Sequence, residues 1–103
     1  MTQEITQKKS DPVADFIGTL SGGWAKVLPN VCTPKRFARV AITCMKKNPK
    51  LLEAMQTGEG KRSLAEAFMR CAELGIEPDG RRAYLIPYKD NKTKEYTINL
   101  IFD

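Results

Sequence analysis

Arg82-Ala83-Tyr84-Leu85-Ile86-Pro87-Tyr88 is the stretch at which the chain changes period. Tyr84, Ile86 and Tyr88 alternate with Ala83, Leu85 and Pro87, which puts successive side chains on opposite faces of a strand. The alternation returns from Glu95 to Phe102, where Tyr96, Ile98, Leu100 and Phe102 interleave with Thr97, Asn99 and Ile101. Asp90-Asn91-Lys92-Thr93 between the two runs has turn composition, so they predict an antiparallel hairpin with a basic tip of Lys89, Lys92 and Lys94. Pro87 cannot donate to a ladder, which makes the first strand an edge or bulged strand. A two-stranded hairpin is marginal in water. It needs either helices to cover it or further strands beside it.

Outward from the hairpin, the period is helical. Ser63-Leu64-Ala65-Glu66 reads as a capping box, opening a helix that runs to Leu74 with Gly75 as its C-cap. Leu64, Ala67, Phe68, Cys71 and Ala72 form its apolar side, and Glu66 and Arg70 are spaced to pair outside. Gln56 to Arg62, with Gly58 and Gly60, reads as a loop, and Lys50 to Met55 as one short turn. Thr33-Pro34 caps the strongest helix, 34–47: Phe37, Val40, Ala41, Cys44 and Met45 make one arc and Lys35, Arg36, Arg39, Thr43, Lys46 and Lys47 the other. Asn48-Pro49 ends it. Asp11-Pro12 opens a first helix that carries Val13, Phe16, Ile17 and Leu20, with a break expected at Ser21-Gly22-Gly23. Trp24, Val27 and Leu28 suit one more turn, and residues 1–10 are expected to be a flexible tail. The fold class is therefore α+β, with N-terminal amphipathic helices packed on a C-terminal hairpin. Because the sequence stops just after the second strand, it reads as part of a larger fold.

The chain of 103 residues has a net charge of +5, unevenly spread. No acidic residue stands between Asp15 and Glu53, an interval that holds Lys26, Lys35, Arg36, Arg39, Lys46, Lys47 and Lys50. Such a face attracts polyanions, or simply keeps a protein soluble. No apolar run approaches the ~20 residues that cross a membrane. Met1 to Ser10 is polar and resembles no export signal, so a cytoplasmic location is expected. Cys32, Cys44 and Cys71 are widely spaced, and histidine is absent. That excludes Ser-His and Cys-His nucleophile pairs and argues against a zinc site. Cys44 and Cys71 read as small core residues. No phosphate-cradling glycine loop is present, and Glu73, Glu77 and Asp79 read as surface charge. The sequence thus offers no catalytic residues, metal ligands or cofactor.

Binding is better supported. Single-stranded nucleic acid is held by basic groups along the backbone and aromatic platforms under the bases. Arg81, Arg82, Lys89, Lys92 and Lys94 are the candidate phosphate contacts, with Lys35, Arg36 and Arg39 second. Tyr84 and Tyr88 are candidate platforms, although alternating tyrosines on a strand more often face a core than a base, and the face shared with Ile86 strengthens the core reading. Phe16, Ile17 and Trp24 are candidates for packing against a neighbouring subunit, or inside their own.

Four segments together resemble one family: Ser63-Leu64; Cys71-Ala72-Glu73-Leu74-Gly75-Ile76-Glu77-Pro78-Asp79-Gly80; Ala83-Tyr84-Leu85-Ile86-Pro87-Tyr88; and, upstream, Leu28-Pro29 with Thr33-Pro34-Lys35-Arg36-Phe37 and Arg39-Val40-Ala41. They resemble the RecT family of phage and prophage single-strand DNA annealing proteins, over roughly Asp11 to the end of the chain. The resemblance implies a protein that coats single-stranded DNA and anneals it to a complementary strand in homologous recombination. It implies no nucleotide hydrolysis, single-stranded DNA and annealed duplex as partners, and self-association into rings or filaments. Residues 11–103 would be the N-terminal part of one annealing domain, since in the family a longer segment follows the second strand. The alternative is an oligomerisation module with little DNA binding of its own.

Overall fold

The computed structural model describes residues 11–29 and 33–102. The expected tail at 1–10 and Cys32 lie outside them. Among the described residues the order is α1 (Pro12–Trp24), α2 (Pro34–Lys47), α3 (Pro49–Ala54), α4 (Gly58–Leu74), β1 (Ala83–Lys89) and β2 (Tyr96–Phe102). The fold is α+β, and no helix among these residues is long and apolar enough to cross a membrane.

Asp11 caps α1 by accepting the Val13 and Ala14 amides at 3.1 and 3.3 Å. The break expected at Ser21-Gly22-Gly23 does not occur, and the helix continues to Trp24. Trp24 is fully buried, with its ring edge-on to Phe37 at 4.8 Å and Phe68 at 6.0 Å. Burying an indole is worth about 4 kcal/mol, against about 2 kcal/mol at most for two helical glycines. Gly23 also lets the helix lie close to α4, since a Cβ there would stand 3.1 Å from the Met69 methyl.

Thr33 caps α2 through the Arg36 amide, and Asn48 closes it and caps α3 through the Lys50 amide. Phe37, Ala41 and Met45 are buried, so the apolar arc faces inward as the spacing predicts.

The start of α4 corrects the sequence reading. Residues 58–62 are helical, and the cap is Thr57, whose hydroxyl accepts the Gly60 amide at 2.9 Å. Gly60 is a packing requirement: a Cβ would lie 2.0 Å from the Ala54 carbonyl oxygen at the end of α3. Ser63 is therefore interior to the helix and buried, and it accepts the Ile98 amide at 2.8 Å. Glu66 pairs with Arg62, while Arg70 pairs with Glu73. Gly75, at φ 70°, ends the helix as expected.

β1 and β2 form an antiparallel pair in which Tyr84 faces Ile101, Leu85 faces Leu100 and Pro87 faces Ile98. Ala83, Leu85, Tyr96 and Ile98 turn inward and join one core with Trp24, Phe37, Leu64 and Phe68. The helices cover this face of the hairpin, with α4 against β2 and α3 against β1. The Tyr96 hydroxyl donates to Glu53 of α3, adding a polar tie.

Candidate nucleic-acid interface

The segment between α4 and β1 is fixed by two carboxylates. Glu77, read from sequence as surface charge, is buried and receives the Arg36 guanidinium through Nε at 2.5 Å and Nη2 at 3.3 Å. Asp79 accepts the backbone amides of Arg81 at 2.9 Å and Arg82 at 3.0 Å. Partial desolvation pushes the Asp79 carboxyl up, but these amides and the Arg82 charge outweigh it and hold it below its ordinary value. Gly80 turns the chain at φ 79° and donates its amide to the Ala83 carbonyl at 3.1 Å. The left-handed region is open to glycine at no steric cost.

Two adjoining hollows, of about 160 and 260 Å³, run between α2 and this segment. Arg39, Thr43 and Lys47 line the α2 side, and Pro78, Asp79, Gly80 and Tyr84 the other. Cys44 forms part of the floor. Burial, with the Asp79 charge adding, pushes its thiol up to about 11, and burial pushes Cys71 up to about 12. Neither thiol is ionised near neutral pH, which suits the packing role expected of them.

The candidate residues fall into three groups. Arg39 and Tyr84 border the groove, and Arg81 and Arg82 are exposed between its Gly80 and Ala83. Tyr84 and Tyr88 are 39% and 54% exposed on the outer face of β1, which decides between base platform and core in favour of an accessible surface. Beside them on β2 stand Thr97, Asn99 and Ile101. At the tip, Lys92 and Lys94 sit in a turn whose amides at Lys92 and Thr93 are held by Asp90. Lys89 does not join the tyrosines. It stands on the opposite strand face, with its ammonium 5.8 Å from the centre of the Tyr96 ring. Lys35 is exposed on the first turn of α2. Ile17 and Trp24, candidates for a subunit contact, are spent inside the core, and Phe16 packs partly against it.

Glu77, Asp79 and Lys47 are the members of this region missing from the sequence-derived set. Lys47 was legible as part of the basic arc. Glu77 was not, because its partner is 41 residues away.

No curated protein and no solved structure matches the chain significantly. A family model, that of the RecT family, matches residues 35–103, beginning downstream of the Asp11 to which the sequence resemblance extended. The match takes in α2, the Glu77–Asp79 segment and the whole hairpin, and over that span the chain belongs to the RecT family, whose members serve phage-type recombination by single-strand annealing.

Proposed function

We propose that this chain binds single-stranded DNA and takes part in ATP-independent strand annealing, in the cytoplasm and without a cofactor. The strand's phosphates are met by Arg81, Arg82, Lys92 and Lys94, with Lys89, Lys35, Arg36 and Arg39 adding to the positive field. Tyr84 and Tyr88 offer faces on which bases stack. The observation that carries this reading is the outward exposure of both tyrosines beside exposed Arg81 and Arg82. Aromatic stacking is indifferent to base identity, as annealing of any sequence requires. A protein that holds the strand by its backbone leaves base edges free to pair, and the annealed duplex is then its product.

Fluorescence anisotropy of a labelled oligonucleotide tests the proposal. With about five phosphates neutralised, affinity should fall roughly 100-fold between 50 and 200 mM salt. Arg81→Gln with Arg82→Gln should flatten that dependence. Tyr84→Ala with Tyr88→Ala should cost about 1–3 kcal/mol per lost stack and leave the salt slope in place. No binding at 50 mM salt sinks the reading.

A second reading has its own observation. Ile101 and Phe102 are 48% and 38% exposed, an apolar extension of the sheet that suits contact with another subunit in a ring or filament. Concentration-dependent size without DNA binding would favour an assembly module.

A further inference from the structure

We infer that Arg36 and Glu77 act as a positioning clamp for the DNA groove, with Arg36 turned toward Glu77 in place of a phosphate. The inference rests on the DNA-binding reading and assigns Arg36 a different part in it.

The clamp joins the two walls of the groove. Arg36 stands on the first turn of α2, with its amide held by the Thr33 hydroxyl at 3.2 Å. Its guanidinium meets Glu77 as a two-point fork, the geometry that fixes orientation as well as charge. The Glu77 side chain is 10% exposed and that of Arg36 is 65% exposed. A carboxylate so nearly buried needs its partner, because a charge left alone there is strongly unfavourable. Two residues on, Asp79 holds the amides of Arg81 and Arg82. The chain from Glu77 to Arg82 is thus tied to α2 at one end and to the entry of β1 at the other. Arg39 and Lys47 extend along the same helix that the clamp grips, on the opposite wall from Tyr84. Setting Arg36 against Glu77 therefore fixes the spacing between the basic wall and the Arg81–Arg82–Tyr84 wall.

The two roles for Arg36 predict opposite signs. If the field alone mattered, Glu77→Gln would remove a negative charge beside the groove and strengthen DNA binding. If the clamp matters, the same change weakens it. The experiment uses the full chain and a labelled oligonucleotide, with amide hydrogen exchange read on the same variants without DNA. Glu77→Gln should weaken binding about tenfold and speed exchange at Arg81 and Arg82 by about the same factor, while Phe68 and Cys71 in α4 hold their protection. Arg36→Lys keeps the charge but cannot form the fork, and should behave likewise. The exchanged pair Arg36→Glu with Glu77→Arg should recover both readouts. Unchanged exchange at Arg81 and Arg82 overturns the clamp, whatever DNA does, and so does tighter binding by Glu77→Gln. If the unaltered chain binds no single strand, the DNA reading fails instead, and exchange alone decides whether the clamp holds the segment.

Discussion

Lys94 adopts φ 62°, the left-handed region that side chains with a Cβ enter at a cost. Its amide donates to the Asp90 carbonyl at 2.7 Å, which closes the hairpin turn and keeps the residue there. Glycine would take this conformation freely, so Lys94→Gly should stabilise the chain by up to about 1 kcal/mol, or about 4–8 °C in Tm by calorimetry. On the DNA-binding reading the same variant loses about 0.7 from the salt slope, a measurable cost of the missing charge. At this scale the sequence was readable where one residue acts through its own backbone. Gly75 as a cap, Asp11 and Thr33 as N-caps and Asn48-Pro49 as the end of α2 all follow from local rules. Ser63 and Gly60 did not follow. Ser63-Leu64-Ala65-Glu66 satisfies the capping pattern, yet Thr57 caps the helix, because Gly60 allows α3 and α4 to close together. Gly60, which looked like part of a loop, is there for close approach, and only the neighbouring element reveals it.

Between elements, the hairpin is held to the helices by one buried amide and one carboxylate as well as by its apolar face. Ser63→Ala leaves the Ile98 amide unpaired in a buried site, and should lower stability by about 1–3 kcal/mol in urea titration. The second tie brings a pH dependence. The Tyr96 hydroxyl holds Glu53 below its ordinary value of 4.5, and the same bond holds Tyr96 above its ordinary 10.0. A depressed carboxyl contributes stability above 4.5 and loses it as pH falls through the folded value. A raised phenol contributes below 10.0 and loses it as pH rises through its own folded value. Tyr96→Phe should therefore be less stable than the unaltered chain between those limits, with the difference closing at either end of a pH series. Period alone revealed both strands, their turn and the apolar arcs of α2 and α4. It did not reveal which strand face is outward, since Tyr84, Ile86 and Tyr88 are no less apolar than Ala83, Leu85 and Pro87. That was decided by where the helices lie.

Over the whole molecule, the polar ties bridge distant parts of the sequence: Lys46 to Asp11 and Ser63 to Ile98 each span 35 residues, Arg36 to Glu77 spans 41, and Glu53 to Tyr96 spans 43. Charge clustering hinted at the basic side of the groove, but the acidic members that shape it were hidden by these separations. The Ser63–Ile98 bond also has a meaning in time. Its acceptor stands on a helix that closes from local contacts in about a microsecond, whereas its donor arrives only when a distant hairpin docks. In pulse-labelled refolding the Phe68 amide should gain protection before that of Ile98, and simultaneous protection would refute this order. During the interval Leu85 and Ile98 are bare, so crowded chains should associate through this apolar face before they finish folding. The Ser63–Ile98 bond thus marks the moment at which each new molecule ceases to be vulnerable to its neighbours.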